Sequence, residues 1–147
     1  RSALKTMNSI MEKKDKKEWE YLHVYEDDIL IYDGLFSKGE KNGYGIEYYS
    51  SNDYYKGEFL NGLRHGKGSL YYKSGSYYHG NFLENNFSGY GEHFFHNGTN
   101  YKGQFLNNKF HGLGVFTYSN GDYGKGEFKN DEMNGQGELY YKNGDIY

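Results

Sequence analysis

An internal period of 23 residues constrains this chain more than any other property of its sequence. Tyr32, Tyr55, Tyr78 and Tyr101 open four successive blocks and Gly124 opens a fifth, with no insertion between them. Self-similarity at a fixed period of this length is typical of proteins built from one repeated supersecondary unit. The sequence therefore predicts a repeat array over residues 32–147. Its five blocks are 32–54, 55–77, 78–100, 101–123 and 124–146.

Glycine and aromatic residues occupy fixed positions of each block, counted from zero at the opening residue. Positions 2, 11 and 13 are glycine in every block, position 4 is phenylalanine and position 17 is aromatic. Rings must supply the core, because aliphatic residues are scarce. The predicted structural core consists of Tyr32, Phe36, Tyr55, Phe59, Tyr78, Phe82, Tyr101, Phe105 and Phe128.

The residues within a block alternate with a period of two, which indicates strands rather than helices. In the second block, Tyr55, Gly57 and Phe59 alternate with polar residues. Turn-forming residues such as Asn61-Gly62 follow at positions 6 and 7, and a second turn lies near positions 19 and 20. We therefore predict an all-β fold, an elongated and twisted antiparallel ribbon of β-hairpins.

The glycines on the ring-bearing face have a steric explanation. A stretch of strand without side chains allows a neighbouring ring to lie flat on the backbone. We expect the glycine pairs at positions 11 and 13 to serve this purpose. One block has too few apolar groups to form a core alone, so stability must come from contacts between neighbouring blocks.

These residues, Y-x-G-x-F at the opening of each block followed by G-x-G, resemble the MORN repeat (membrane occupation and recognition nexus). Departures from the family pattern are Gly124 for an opening tyrosine, Asn52 for a turn glycine, and Asn or Asp at position 7 of the last three blocks. The resemblance implies a scaffold, since chemistry in the enzymes that carry such repeats lies outside them. It also implies a link to membrane or cytoskeletal structures. The abundance of Asn, Lys and Tyr resembles proteins from AT-rich genomes such as those of apicomplexan parasites.

The first 31 residues precede the array and divide into two parts. Residues 1–18 are predicted to form a short amino-terminal helix with a charged second half, in which Ser2 is a candidate cap. Residues 19–31 are predicted to form a capping strand and a turn. Packing of the helix on the repeats and pairing between chains both remain open as alternatives to a frayed tail.

Charge and cysteine content exclude several classes of protein. The chain has 17 Lys and Arg residues against 20 Asp and Glu residues and no cysteine. This balance argues against nucleic-acid binding, and the lack of cysteine removes disulfides and thiolate metal sites. No apolar run approaches the length of a membrane span, and the start does not resemble a signal peptide. We expect a cytoplasmic protein, with association with membrane or cytoskeleton left open.

No residue pattern predicts catalysis, a cofactor or a metal ion. His65 and His111 occupy the same position two blocks apart, which places them about 19 Å apart in a sheet. His93 and His96 lie three residues apart in a strand or its turn, which tends to put them on opposite faces. We therefore predict polar surface histidines. Lys56, Lys102 and Lys125 share position 1, but Glu58 and Glu127 offset them, which disfavours a nucleic-acid platform.

Apolar residues also occur at positions predicted to face away from the core, and we predict that they form an interaction surface. This candidate surface consists of Leu60, Leu83, Leu106, Tyr48, Tyr71, Phe94 and Tyr140. The expected partner is a protein, either a helix or another copy of the chain, which can also pair at an exposed sheet edge. Two alternatives remain open: a phospholipid-recognition module, and a regulatory segment of a larger enzyme such as a lipid kinase.

Overall fold

The computed structural model of the chain describes residues 18–147, and the predicted helix of the amino-terminal segment lies outside the described residues. Eleven strands make up the described part. They are β1 (Trp19–Glu26), β2 (Ile29–Ser37), β3 (Glu40–Tyr48), β4 (Tyr54–Leu60), β5 (Leu63–Tyr71), β6 (Tyr77–Leu83), β7 (Asn86–Phe94), β8 (Asn100–Leu106), β9 (Lys109–Thr117), β10 (Tyr123–Lys129) and β11 (Glu132–Tyr140).

The strands form a single open sheet in which each strand pairs with its neighbour in sequence. Every pairing between the named strands is antiparallel, so the predicted all-β antiparallel fold is confirmed. Each repeat contributes two strands, and β1 pairs with β2 from Trp19↔Ser37 onward. Because all pairings are local, each block contacts the blocks beside it, as expected of a repeat protein.

The turn between the two strands of each block is a two-residue hairpin turn with both residues in the left-handed region. Asn61 and Gly62 have φ of 50° and 84°, and Glu84 and Asn85 have φ of 46° and 75°. Positive φ at both central residues defines the type I′ turn, whose twist matches that of the flanking strands. Asn, Gly or Asp fills all of these positions except Lys38 and Glu84, because these three residue types accept positive φ most readily.

A bulge shifts the register inside every repeat. Gly57 pairs with Gly68, whereas Phe59 pairs with Arg64. Two residues along β4 therefore correspond to four residues along β5. The glycine at position 11 lies within this irregularity, and Gly66 has a φ of 75°. A side chain at Gly66 would also collide with Glu58. The bulge lets Phe59 and Arg64 share a sheet face with Gly57 and Gly68.

The position 11 and 13 glycines therefore differ in purpose, and our expectation that both lie under rings is wrong for position 11. At position 13, a Cβ on Gly91 would overlap the phenol oxygen of Tyr78. At position 11, Gly89 has a φ of 77°, and its Cβ would meet Asn81. Only Gly91 provides the flat backbone on which a ring rests. Gly89 instead supplies the left-handed conformation of the bulge.

The face that carries positions 0, 2 and 4, which we call the core face, buries its rings on one side of a single sheet. Tyr55, Tyr78 and Tyr101 have no exposed surface. The hydroxyl of Tyr78 donates a hydrogen bond to the carbonyl oxygen of Asn81 at 2.7 Å, which satisfies the polar end of the buried ring. The rings of Phe82 and Phe105 meet Tyr78 edge-on at 5.2 and 5.0 Å. All nine residues of the predicted structural core are buried.

The residue at position 9 lies over the opening tyrosine of its own block, and its chemistry changes along the array. Lys41 lies over the ring of Tyr32 and the Arg64 guanidinium over that of Tyr55. In the next two blocks the covering group is a parallel ring, with Phe87 on Tyr78 at 3.8 Å and Phe110 on Tyr101 at 4.0 Å. The group that covers the opening tyrosine is thus a cation in the first two blocks and an aromatic ring in the next two.

Gly124 lacks the ring of the other opening residues, and Met133 lies close to it. A Cβ at Gly124 would meet the terminal methyl of Met133 at 3.0 Å and Leu139 at 3.2 Å. The sulfur of Met133 also lies 2.7 Å from where a Cβ on Gly137 would be, a place that the tyrosine occupies in other blocks. A flexible thioether thus fills the space of the missing ring.

Asn and Asp at position 7 connect successive blocks. The N–H of Arg64 donates to the side-chain oxygen of Asn85 at 2.9 Å, and the N–H of Asn85 donates to the carbonyl oxygen of Arg64 at 2.9 Å. The bulge leaves the backbone of the position 9 residue without a ladder partner, and this side chain supplies one. Asn108 bonds to Phe87 and Asp131 to Phe110 in the same way.

Candidate interaction surface

The opposite face of the sheet, which we call the outer face, carries the apolar residues singled out from the sequence. Leu60, Leu83 and Leu106 are about half exposed, at 47%, 51% and 46%. They lie beside the type I′ turns, at one long edge of the sheet. Tyr48, Tyr71, Phe94 and Tyr140 lie nearer the other long edge and are partly exposed. The outer face therefore carries two apolar rows.

The second row is a stack of rings rather than a column of separate ones. Five rings on consecutive strands follow one another, and we call them the aromatic ladder: Tyr48, Tyr54, Tyr71, Tyr77 and Phe94. Neighbouring centroids are separated by 6.2, 4.7, 5.8 and 4.7 Å, with interplanar angles of 19° to 35°. Stacked rings cover each other's faces, so the ladder presents ring edges and phenol hydroxyls outward.

The ladder is interrupted after Phe94. On the next two strands, Asn100 and Thr117 occupy the same row, as the pairings Phe94↔Asn100 and Asn100↔Thr117 show. Rings resume at Tyr123, which pairs with Thr117 and stacks on Tyr140 at 4.7 Å. The faces of Phe94 and Tyr123 that point toward each other have no ring partner among the described residues.

Polar residues separate the two apolar rows. From β4 to β10 the central row contains Lys56, Ser69, His79, Glu92, Lys102, Val115 and Lys125. His79 and Glu92 approach within 3.7 Å. Within residues 18–147, no carboxylate lies within salt-bridge distance of Lys102 or Lys125. The central row is therefore mostly polar, with Lys102 and Lys125 opposite Glu92 and Glu138. The row between it and the leucines also carries exposed apolar side chains, namely Tyr44, Tyr90 and Leu113.

A charged network occupies the amino-terminal part of the core face. The carboxylate of Glu47 accepts hydrogen bonds from the Lys41 ammonium and the Tyr49 hydroxyl, and Tyr49 accepts one from Arg64 at 2.7 Å. Burial raises the pKa of Tyr49, and the hydrogen bond to Glu47 raises it further. The buried Nε of Arg64 has no hydrogen-bond partner in the described part of the chain. This network positions the Arg64 guanidinium over aromatic rings and shows no arrangement for proton transfer to a substrate.

His93 lies among rings, and our prediction of a polar surface histidine is wrong for this residue. Its imidazole stacks on Phe95 at 4.2 Å and meets Phe87 edge-on at 5.6 Å. Burial lowers the pKa of His93 to about 4, against an ordinary value of 6.5. Position 15, which His93 occupies, is Leu70 and Phe116 in neighbouring blocks. The neutral imidazole acts as a core side chain.

The described residues contain no group of three or more His, Cys, Asp or Glu side chains placed to hold a metal ion. The side chain of Asp131, which lies in a turn, accepts a hydrogen bond from the N–H of Phe110.

A cleft of about 370 Å³ opens between the last two loops, lined by Tyr118, Asp122 and Leu139 among others. Within residues 18–147 no helix is long and apolar enough to cross a membrane.

Sequence reasoning missed Tyr54 and Tyr77 of the aromatic ladder, and Tyr123 beyond its interruption. Tyr54, Tyr77 and Tyr123 all stand at the last position of a block, one residue before the opening residue of the next. Period two places that position on the opposite face from the opening residue, together with position 16 of the preceding strand. The recurrence of tyrosine there was a readable signal. Asn100 departs from this recurrence and marks the interruption, and the fifth block ends with Ile146.

Comparison with known proteins gives a family match and likenesses to solved structures. The model of the MORN repeat matches residues 32–54, 55–77, 78–100, 101–123 and 125–146. No curated protein matches the chain. Among solved structures, the chain is similar to the TCP domain of SAS-4 (dCPAP) from Drosophila melanogaster in complex with a proline-rich motif of Ana2 (dSTIL). That likeness has a TM-score of 0.49 and 17% identity, and it covers 79% of this chain and 64% of that chain.

Proposed function

Because the chain belongs to the MORN repeat family, we propose that it is a non-catalytic scaffold that binds a protein partner through its outer face. MORN repeats indicate an interaction or membrane-associated module and are in general not enzymes. The outer face is the surface that such a module has available, since the core face buries its rings within the chain. We further propose that the repeats belong to a larger cytoplasmic protein that links membrane or cytoskeletal structures.

The observation that carries this proposal is the pair of exposed apolar rows. Leu60 and Leu83 each expose about half of their surface. Apolar residues aligned in rows across several strands are typical of interaction surfaces, whereas single exposed apolar residues are unremarkable. The polar central row between them provides hydrogen-bonding groups, as the polar parts of protein interfaces do.

The proposal is tested by affinity capture from cells that express the full protein, followed by reconstitution with each purified partner. The test variant is Leu60→Asp with Leu83→Asp, which adds two charges to the outer face. The matched control is Tyr118→Asp with Tyr141→Asp, which adds the same charges to exposed rings at the loops. We expect the first variant to lose the reconstituted partner by at least about tenfold in affinity and the control to retain it.

Two results would contradict the proposal. Equal binding of the partner by the test variant and the parent would exclude the outer face as the binding surface. Flotation of the parent with anionic liposomes at physiological salt, without a protein partner, would favour the phospholipid module instead. Circular dichroism melting curves of both variants must match the parent, which confirms that the substitutions change the surface and not the fold.

A further inference from the structure

Charge is distributed unevenly along the chain, and the imbalance lies at its amino-terminal end. Residues 18–54 contain nine Asp and Glu residues against two Lys and Arg residues, whereas residues 55–147 contain nine of each class. Residues 1–17 contain six Lys and Arg residues against two Asp and Glu residues. A basic segment therefore directly precedes the acidic end of an otherwise balanced array, which favours contact between the two.

Exposed apolar side chains of the first three strands meet on the outer face of this acidic end. Trp19, Tyr21 and Tyr44 are 61%, 55% and 49% exposed. Tyr21 pairs with Leu35. A Cβ on Gly43 would lie 3.0 Å from side-chain carbons of both Leu35 and Trp19. We call Trp19, Tyr21, Leu35 and Tyr44 the amino-terminal patch. The row that contains Tyr21 and Tyr44 becomes polar in the next three strands, at Glu58, Lys67 and Asn81.

An acidic cleft of about 400 Å³ lies at the other end of β1, beside the turn to β2. Its lining includes Glu26, Asp27 and Glu47, together with Lys41 and Ile29. The Lys41 ammonium already donates a hydrogen bond to the Glu47 carboxylate. Glu26 and Asp27 are exposed, and no described Lys or Arg lies within salt-bridge distance of either. The cleft therefore offers two carboxylates to a basic side chain.

We propose that residues 1–17 fold back along β1 on the outer face, where they cover the amino-terminal patch and bring basic side chains to the acidic cleft. The segment joins the sheet at Glu18, directly before Trp19, so it is attached beside the patch. As a helix, residues 1–14 would measure about 21 Å, and the seven steps from Trp19 to Glu26 along β1 measure about 23 Å. The two lengths match, and three residues remain for the reversal of direction.

The order of residues within the segment fits this placement. Leu4, Met7 and Met11 recur at helical spacing and form one apolar face, which can pack on the exposed rings of the patch. A helix is about 10 Å wide, which equals two strand spacings and so reaches from β1 to β3. Arg1 and Lys5 lie at the end that reaches the cleft, where its carboxylates can pair with them. The outer face from β4 onward stays open to a protein partner.

Charge disfavours the other occupants of this end. A second copy would bring an identical acidic end to the patch, and a nucleic acid or an anionic membrane would bring phosphates, all of which are repelled. A basic segment of another protein has the right charge. Residues 1–17, however, are covalently joined to the patch, which gives them an effective concentration on the order of millimolar. The segment of the same chain is therefore the favoured occupant.

Trp19 is the single tryptophan of the chain, so its fluorescence reports on the patch. The measurement is acrylamide quenching of Trp19 in the full chain. The test variant, Leu4→Asp with Met7→Asp, places two carboxylates on the apolar face of the segment. The matched control, Thr6→Asp with Ser9→Asp, places them on the opposite side of the helix. We expect the quenching constant to rise several-fold in the test variant and to keep the parent value in the control.

Hydrogen–deuterium exchange of the segment tests the cleft without relying on fluorescence. Glu26→Lys with Asp27→Lys reverses both cleft charges, and Lys38, at the same turn position with a φ of 57°, shows that the backbone accepts lysine there. The matched control, Glu84→Lys with Glu132→Lys, makes the same changes at a turn and at a strand end in later blocks. We expect faster exchange of the segment in the test variant only.

Three results would overturn the proposal. The first is equal quenching of Trp19 in the parent and in Leu4→Asp with Met7→Asp. The second is exchange of the segment in the parent at the rate of an unfolded peptide. The third is protection that increases with protein concentration, which would place the segment on a second copy. Leu60→Asp with Leu83→Asp should leave the quenching unchanged, because these leucines lie outside the patch, so a failed test of partner binding leaves this placement intact.

Discussion

The ring of Phe87 lies parallel to the ring of Tyr78, with their centroids 3.8 Å apart and an angle of 9° between their planes. Phe87 thereby covers one side of a tyrosine that has no exposed surface, and Phe82 and Phe105 meet that tyrosine edge-on. A sheet without a second layer buries its core in this way. Each of the first four blocks supplies a covering residue for its own tyrosine, which receives an edge-on phenylalanine from the next block.

Phe82→Ala should destabilise the protein by about 3–5 kcal/mol, the usual cost of truncating a buried aromatic residue. Phe82 is 3% exposed and meets the rings of Tyr55 and Tyr78 edge-on at 5.0 and 5.2 Å. Lys102→Ala, on the outer face, is the control and should be nearly silent. Urea unfolding curves give both values. Similar unfolding midpoints for the two variants would contradict the assignment of faces.

Gly91→Val should destabilise the fold although valine favours strands, because the new side chain would displace the ring of Tyr78 from the backbone. The expected cost is about 1–3 kcal/mol, as for other overpacked sites. Tyr90→Val, one residue earlier and 62% exposed, is the matched control. Thermal melting would distinguish them. A Gly91→Val protein as stable as the parent would show that the ring does not need this space.

Gly124→Tyr should destabilise the protein alone and stabilise it in combination with Met133→Phe. The single change forces a ring into the space beside Met133, whose methyl lies 3.0 Å from the new Cβ. The double change recreates the pair formed by Phe110 on Tyr101 in the preceding block. We expect a gain of about 1 kcal/mol, since such aromatic pairs contribute about 0.5–1.5 kcal/mol beyond burial. In a double-mutant cycle, the effects of the two substitutions on unfolding free energy should be non-additive. Strictly additive effects would contradict the conclusion that Met133 fills the space of the missing ring.

Asn85→Gly should cost about 1 kcal/mol, because the N–H of Arg64 loses its acceptor while the backbone remains free to adopt a φ of 75°. Asn85→Ala should cost about 1 kcal/mol more, since alanine is strained in the left-handed region. Both values follow from chemical denaturation. Equal stability of Asn85→Gly and the parent would mean that water satisfies this N–H equally well.

His93 should make stability depend on pH. Its pKa in the folded state is about 4, below the ordinary value of 6.5, so the unfolded chain binds the proton first as pH falls. The neutral imidazole therefore makes its full contribution to stability above pH 6.5. This contribution is lost as the pH falls from 6.5 to about 4. At about 1.4 kcal/mol per pKa unit the shift corresponds to about 3 kcal/mol, which solvent screening of a partly exposed ring reduces to about 2 kcal/mol.

His93→Phe should remove this part of the pH dependence. Phenylalanine already stands at the same position of the next block, as Phe116. The measurement is the difference in unfolding free energy between variant and parent at pH 7 and at pH 4. Comparing the two proteins cancels the carboxylates that titrate in the same range. An identical difference at both pH values would place His93 in solvent.

The sequence alone determined the repeat, the strands and the buried rings. A period of 23 residues with Tyr55, Gly57 and Phe59 in alternation requires a strand with one apolar face, because side chains alternate across a strand. Type I′ turns could likewise be predicted from Asn61-Gly62, since few other residues accept positive φ at both positions. These conclusions depend on local backbone geometry, which neighbouring residues in the sequence control.

Tertiary structure alone decided which residues cover the rings and where the outer row is interrupted. Phe87 reaches Tyr78 only because the bulge shifts the register by two residues, and period two does not encode that shift. The burial of His93 and the partnership of Asn85 with Arg64 depend on the same shift and on adjacent blocks. The interruption of the aromatic row between Phe94 and Tyr123 likewise becomes visible only when four strands have paired.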